Sequence, residues 1–346
     1  MHAVRVERHE VQAGELVGRV ICHDLRSTDG RVEIPKGRVL NADDSARVMT
    51  LGWSELHLLA LDPDDVHEQE AGDRIARSVA GRGVQVRPAS GGHWPLAAEH
   101  RGVLAVDNAA LEAVNDLEGP CVYSLLDGQV VDEGEVVARA KLIPFAVSAQ
   151  TLSLAEELAM ASAGVVRVSP FVPHRIGSVV HQSLGERAMS RFRDAVGEKL
   201  GWFGSSLGAV CTASPLPTAI ADAFASVAGE GAEIILVAGT KAMDVLDPTF
   251  VALEQLGARM IRHGVPAHPG SLLWLADWQG VPIVGMPTCG LFAQATIFDL
   301  VIARLLTGER LGRRDLAGLA EGGYLTRGMA FRLPAYRAAA ERGAVE

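Results

Sequence analysis

Residues 232–257, "AEIILVAGTKAMDVLDPTFVALEQLG", are the stretch that decides the fold. The first seven residues are almost all apolar, which predicts a strand that is buried on both faces of a sheet. A turn containing Gly239 follows. Asp247 and Pro248 then stand in the order typical of a helix N-cap and first helical position. The stretch therefore predicts a strand, a turn and a helix that ends at Gly257.

The same alternation continues on both sides of this stretch. Strands are predicted at 175–181, 207–213 and 258–264, and helices at 185–201 and 215–229. A strand pair is predicted within 271–287, followed by a long helix over 289–308. Alternating strands and helices are typical of a mostly parallel sheet covered by helices, with right-handed crossovers. We expect this α/β domain to span 166–312.

The first part of the chain has a different texture. Residues 1–150 carry short apolar runs separated by turn signals, which predicts a mixed, β-rich accessory region of one or two subdomains. Strands are predicted at 17–25, 30–40 and 54–61, and helices at 43–51, 64–80 and 107–116. A helical connector is predicted over 151–165, and 313–346 forms a C-terminal tail.

Composition excludes several classes of function. The net charge is −10 and no long basic run occurs, which argues against nucleic acid or an anionic membrane surface as a partner. The four cysteines are scattered without close pairs, so zinc knuckles and a disulfide framework are not supported. The N-terminus lacks an apolar signal core, and no apolar stretch suits a membrane span. We therefore expect a cytoplasmic protein.

Three turns of the α/β domain are candidate ligand sites, because ligands bind beyond the carboxyl ends of parallel strands. They are 181–185, 238–248 and 286–290. In the second, Gly239 would let a ligand approach the backbone. Asp244 and Asp247 could hold Mg²⁺ on a phosphate, or could serve only as caps. Lys241 is either a solvated lysine or a partner for a phosphate or oxyanion.

The turn at 286–290, "MPTCG", offers an anion site of a different kind. Pro287 restricts the chain that leaves the strand, and Thr288 could cap the long helix. The free N–H groups at 289–291 would then face an anion at the positive end of the helix. Cys289 is either a small residue at the helix start or a nucleophile, and no partner base identifies the second role.

Three stretches carry a resemblance to a known family: "VAGTKAMDVLDP" (237–248), "HGVPAHPGSLLWL" (263–275) and "VGMPTCGLFAQATIFDLVIARLLTGERL" (284–311). In this order they resemble the molybdopterin-binding domain of molybdenum cofactor biosynthesis proteins, the group of the molybdopterin molybdenumtransferases and the gephyrin E-domain. The match is closer to a divergent short subgroup, which includes domains fused to cofactor nucleotidyltransferases. The fold that this resemblance implies is a three-layer α/β/α domain.

The resemblance also implies a set of site residues. By position, Asp244 and Asp247 fall on the family's acidic pair, and they are the candidate catalytic residues and metal ligands. Lys241 lies where relatives have small residues, and it is a catalytic candidate only from its place between the strand end and the aspartates. The candidates for binding the cofactor lie in the three turns and in the histidine–glycine and proline–glycine elements. They are Ser183, Gly239, Thr240, His263, Gly264, Pro269, Gly270, Pro287, Thr288, Cys289 and Gly290.

Two functions are open on this resemblance. The chain could insert molybdate while Mg²⁺ assists the cleavage of adenylated molybdopterin, with molybdopterin and molybdate as its ligands. It could instead bind molybdopterin or the finished cofactor without turnover, as a carrier or sensor that serves a molybdoenzyme. The family's first-strand motif Thr-Gly-Asp-Glu-Leu is replaced here by "VVHQSLG" (179–185), and its absence favours the second function. The retained Asp244 and Asp247 favour the first function, which we expect because the proteins that the chain resembles are enzymes. The resemblance further implies a homodimer, with a molybdoenzyme or a cofactor nucleotidyltransferase as partner.

Overall fold

The computed structural model describes residues 1–181, 185–287 and 296–336. The chain divides into two compact units, and neither is a single continuous segment. Unit 1 comprises 1–100, 105–125 and 133–168, and unit 2 comprises 101–104, 126–132 and the chain from 169 on. The predicted mixed α/β class is confirmed, whereas the predicted domain boundaries stay predictions.

Short strands dominate the first half of the chain. The elements are β1 His2–Glu7, α1 Ala13–Leu16, β2 Val20–Ile21, β3 Leu25–Arg26, β4 Val32–Ile34, α2 Ala42–Thr50, β5 Glu55–Ala60, β6 Asp65–His67, α3 Glu68–Val79, β7 Val84–Val86, β8 Trp94–Ala98, β9 Gly102–Val106, α4 Asn108–Asn115, β10 Pro120–Ser124, β11 Val130–Val131, β12 Val136–Leu142, β13 Ala146–Ser148, α5 Ala149–Met160 and β14 Val166–Pro170. They form small sheets with the strand orders β1-β5-β2, β10-β12-β8-β7, β11-β9-β14, β13-β6 and β3-β4. The predicted helices at 43–51, 64–80 and 107–116 are confirmed as α2, α3 and α4.

The second half of the chain follows the predicted alternation. The elements are β15 Arg175–Val180, α6 Glu186–Trp202, β16 Ser206–Thr212, α7 Pro217–Gly229, β17 Ile234–Ala238, α8 Pro248–Gln255, β18 Arg259–His263, β19 Trp274–Trp278, β20 Val281–Gly285, α9 Ile297–Leu305, α10 Arg313–Gly318 and a 3₁₀ helix Arg327–Arg332. Across the described ranges, no helix is both long and apolar enough to cross a membrane.

Six strands form the sheet of unit 2, in the order β16-β15-β17-β20-β19-β18. The pairs β15–β16, β15–β17 and β17–β20 are parallel, and β19 runs antiparallel to both β20 and β18. Because β18 and β20 are each antiparallel to β19, they run in the same direction. The carboxyl ends of β15, β17, β18 and β20 therefore lie at one edge of the sheet, which we call the carboxyl edge.

Alternate residues of β17 pack into two separate apolar clusters, as the two-residue period of a strand requires. Leu236 belongs to the cluster that includes Phe192 of α6 and Leu300 of α9. Ile235 belongs to the cluster that includes Phe224 of α7 and residues of α8. All five strand residues from 234 to 238 are buried, which accounts for the unbroken apolar run in the sequence.

Helix α9 begins later than the sequence predicts. The predicted helix covered 289–308, but the helix described starts at Ile297, and residues 288–295 lie outside the described ranges. Thr296 and Asp299 form a capping box, because the Thr296 hydroxyl accepts from the helix backbone and Asp299 Oδ2 accepts from Thr296 N at 2.6 Å. Gly308 takes a positive φ of 82° just beyond the helix, as predicted.

A buried ion pair joins α6 to α9. Lys199 Nζ donates to Asp299 Oδ1 at 2.7 Å, and the two side chains are only 4% and 0% exposed. The hydroxyl of Tyr336 donates to the same oxygen at 2.7 Å. Burial, followed by the adjacent Asp299 carboxylate, raises the pKa of Tyr336 well above its ordinary value. Asp299 thus accepts from three donors, which compensates for the cost of burying its charge.

Candidate functional site

The carboxyl edge of the unit 2 sheet brings several predicted segments together. Val237 pairs with Gly285, Gly285 with Trp274, and Trp274 with His263. This register aligns the ends of β17, β20 and β18. The turn after β17, the loop after β18 and the Pro287 that follows β20 therefore leave the sheet from the same edge. Pro287 is buried there.

The turn after β17 is organised around Asp247. Gly239 opens the turn with a φ of 108°, a conformation that strongly favours glycine. Asp247 Oδ2 accepts from Lys241 N and Oδ1 accepts from Thr249 N, both at 2.9 Å. The side chain caps α8 and is followed by Pro248 at the first helical position. The helix-cap interpretation of Asp247 is therefore confirmed.

Asp247 is held in its charged form by these contacts. Burial would raise the pKa of the carboxyl, but the hydrogen bonds from Lys241 and Thr249, with the nearby His181, lower it below its ordinary value. The residue is 2% exposed. Both carboxylate oxygens are thus directed at backbone N–H groups inside the turn rather than at the surface.

The fit of Asp244 and Asp247 to a magnesium ion is poor. Asp244 is exposed, and its Oδ1 accepts from Leu246 N at 3.0 Å. Asp247 is buried, with both of its oxygens already accepting. Within the part of the chain that the structure describes, no group of three or more histidine, cysteine, aspartate or glutamate side chains could hold a metal ion. Mg²⁺ prefers six oxygen ligands in near-ideal geometry, and this turn does not offer such a set.

The buried imidazole of His181 opens the predicted ligand turn 181–185, but the sequence predicted no role for it. Its Nε2 lies 2.8 Å from Thr249 Oγ1 and 3.4 Å from Thr240 Oγ1, and the two hydroxyls are 3.2 Å apart. Burial lowers the pKa of His181, although the Asp247 charge opposes the shift. A neutral imidazole and two hydroxyls therefore line the carboxyl edge. The sequence signal for a functional role of His181 was its position directly after β15, because ligands bind parallel sheets at the carboxyl ends of the strands.

His263 connects the loop after β18 to the turn after β17. Its Nε2 donates to the carbonyl oxygen of Ala242 at 2.6 Å, and its ring packs on Phe250 with centroids 4.5 Å apart. Gly264 follows with a φ of 77°. The histidine thus makes a structural contact between two predicted site segments, and it is also exposed at the edge.

The proline–glycine element packs against the start of α9. The carbonyl oxygen of Pro269 accepts from Ile297 N at 3.1 Å. A side chain on Gly270 would meet Ile297 Cγ2 at 2.7 Å, so only glycine allows this approach. Phe298 N donates to Thr296 Oγ1 at 3.2 Å. The first N–H groups of the described helix are therefore already bonded and are not open to an anion.

Some predicted residues have no structural outcome. Ser183, Thr288, Cys289 and Gly290 lie outside the described residues, and so do the N–H groups at 289–291. Lys241 contributes its backbone N–H to Asp247, and the residue is exposed. The same turn also exposes three apolar side chains, at 81%, 75% and 76% for Met243, Val245 and Leu246.

Comparison with known proteins gives distant structural likenesses only. No family model matches the chain, and no curated protein matches its sequence. A solved structure titled molybdopterin biosynthesis MoeA protein, from Pyrococcus horikosii, is 13% identical and covers 74% of this chain and 81% of its own, with a TM-score of 0.30. A molybdenum cofactor biosynthesis protein from Pyrococcus furiosus is 12% identical and covers 89% of this chain and 65% of its own, with a TM-score of 0.25. Because these sequence identities and TM-scores are low, the function has to be argued from the residues of the chain itself.

Proposed function

We propose that the chain binds molybdopterin, or its nucleotide adduct, at the carboxyl edge of the unit 2 sheet, as part of molybdenum cofactor biosynthesis. One observation carries the proposal. The three stretches that resemble the molybdopterin-binding domain run to the same sheet edge, and the hydrogen bond from His263 to Ala242 joins two of them. The homodimer, the molybdoenzyme partner and a three-layer α/β/α arrangement belong to the same proposal.

The chemistry of the edge suits a phosphorylated, neutral-ringed ligand. Gly239 is partly exposed and has a φ of 108°, Thr240 supplies a hydroxyl, and the exposed Lys241 supplies a positive charge for a phosphate. A phosphate gains most from such charge-assisted contacts. The buried His181 is predominantly neutral near pH 7, because burial lowers its pKa. Its Nε2 lies 2.8 Å from the Thr249 hydroxyl and 3.4 Å from the Thr240 hydroxyl, so it can orient the hydroxyl of Thr240 toward a ligand without adding charge.

Binding without turnover is favoured over molybdate insertion. Magnesium-assisted cleavage would need Asp247 as a ligand, and Asp247 is committed to the helix cap and to Lys241 N. A carrier or sensor needs only the binding edge. In the catalytic alternative, Asp244 and Lys241 would act beside Asp247, and Asp247 would have to leave its cap.

Titration of the purified protein with adenylated molybdopterin tests the proposal. We expect binding without release of the nucleotide, both with and without Mg²⁺ and molybdate. Lys241→Met should weaken binding about tenfold, the value of one charge-assisted contact, and Lys36→Met, an exposed lysine of unit 1, should not. Nucleotide release that Asp247→Asn abolishes would establish the catalytic alternative. Absence of any binding of molybdopterin or its adduct would refute both.

A further inference from the structure

An exposed aromatic ring pair joins the loop that leaves the carboxyl edge after β18 to the segment that follows α10. The rings of His268 and Tyr324 stack with an interplanar angle of 28° and centroids 6.3 Å apart. Tyr324 is 72% exposed, and His268 is exposed as well. The loop that carries His268 starts at His263, whose side chain is bonded to the turn after β17. The ring pair is therefore connected to the proposed binding edge by a short, ordered path.

The backbone on each side of Tyr324 is fixed although its ring is exposed. His268 N donates to the carbonyl oxygen of Gly323 at 2.7 Å, and Leu325 N donates to that of His268 at 2.8 Å. Leu325 is 5% exposed and belongs to the apolar cluster under α6 and α9. This isolated β-bridge between His268 and Tyr324 holds the tyrosine in place, while Leu325 beside it is anchored in the core.

Glycine at 323 is required by this arrangement. A side chain there would meet the carbonyl oxygen of Leu319 at 2.2 Å and that of Pro266 at 2.7 Å. Gly322 takes a φ of 65°, and its carbonyl oxygen accepts from Arg332 Nη1 at 2.7 Å. The two glycines thus let this segment pass close to Leu319 and Pro266 while the ring of Tyr324 stays exposed.

A fixed, solvent-exposed aromatic face has a specific use. Flat heteroaromatic rings stack on such faces, and this contact needs little further ordering of the protein because a tyrosine has only two side-chain torsions. The area that Tyr324 leaves in water is apolar surface that gains free energy when it is covered. In the ligand proposed above, the nucleotide base is a flat heteroaromatic ring, and the pyrimidine ring of the pterin is flat as well.

We propose that the ring pair of His268 and Tyr324 is the stacking subsite for a flat heteroaromatic ring of the ligand. The inference rests on the proposed function for the identity of the ligand. It adds residues that none of the three predicted turns contains, and it assigns them to the ring rather than to the phosphate. Lys241 and Gly239 remain on the phosphate side.

Equilibrium titrations with molybdopterin and with adenylated molybdopterin test the subsite. We expect Tyr324→Ala to weaken binding about fivefold to a hundredfold, the range measured when an aromatic stacking partner is replaced by alanine. Tyr324→Phe should keep the affinity, because the ring is retained. Tyr123→Ala removes a tyrosine that is 45% exposed on β10 in unit 1 and serves as the matched control, with no expected effect.

The pattern of losses identifies the stacked ring. If Tyr324→Ala lowers the affinity for both ligands equally, the stacked ring is the pterin. If it lowers the affinity for the adenylated ligand alone, the stacked ring is the adenine. Unchanged affinity of Tyr324→Ala for both ligands overturns the subsite and leaves the proposed function standing. Failure of the unmodified protein to bind either ligand overturns the proposed function, and the subsite with it.

Discussion

Replacing Lys199 with methionine should destabilise the protein strongly. The methionine keeps the apolar stem but leaves the Asp299 carboxylate, 0% exposed, without its cation. Breaking a buried pair by removing one partner costs about 3–5 kcal/mol. Two donors to Asp299 remain, Thr296 N at 2.6 Å and the Tyr336 hydroxyl at 2.7 Å. We therefore expect a loss near the lower end, about 3 kcal/mol.

Urea unfolding followed by circular dichroism measures this loss as a lower midpoint at an unchanged slope. Arg77→Met is the matched control, because it breaks an ion pair with Asp73 whose side chains are 68% and 41% exposed. Exposed pairs contribute less than about 1 kcal/mol, so this variant should stay close to the unmodified protein. If Lys199→Met lowers the free energy of unfolding no more than Arg77→Met, the buried pair does not hold α6 and α9 together.

Three further predictions concern the carboxyl edge and the sheet. Asp247→Ala should lower the free energy of unfolding by about 1–2 kcal/mol, because it removes the helix cap, whereas Asp244→Ala should change the urea midpoint little. Equal losses of stability in the two variants would contradict the role of Asp247 as a cap. Gly285→Ala should lower the free energy of unfolding by at least about 1–3 kcal/mol, because its methyl group would lie 2.0 Å from an indole ring on β19. The control Gly197→Ala on α6, where the added methyl group meets no neighbour within 4 Å, should leave the midpoint of thermal melts unchanged or raise it. The pKa of His181 is lowered in the folded state, so the unfolded state takes up the proton first as the pH falls. The free energy of unfolding should therefore decrease as the pH falls below about 6.5. His181→Asn should make this decrease smaller. If the variant loses stability as steeply as the unmodified protein, groups other than His181 cause the decrease.

Periodicity predicted the unit 2 sheet well. The continuous apolar run before Gly239 predicted β17, and the Asp-Pro pair predicted the start of α8, because both signals are local and are confirmed by local contacts. Strand β1 was not predicted, although Val4 and Val6 alternate with charged residues in it. An edge strand of this kind has a weak pattern, since one of its faces stays in water.

The sequence failed where distant residues decide the outcome. The start of α9 is set by a capping box and by the carbonyl of Pro269, neither of which the apolar pattern reveals. The sequence predicted no partner for Asp299, because the lysine that pairs with it lies 100 residues earlier in the chain. His181 stood in a predicted ligand turn, but its hydroxyl partner Thr249 belongs to another element.

The division of the chain into units has a consequence for how the protein is made. Val103 and Val130 lie in segments of unit 2 that are enclosed by unit 1 in the sequence, and both belong to the apolar cluster under α6 and α9. During synthesis these valines leave the ribosome long before Leu300 exists. A fragment that starts at 169 would lack them, so its core would be incomplete. Unit 2 therefore cannot finish folding independently of the chain that precedes it, and truncation at the apparent boundary should give a fragment prone to aggregation.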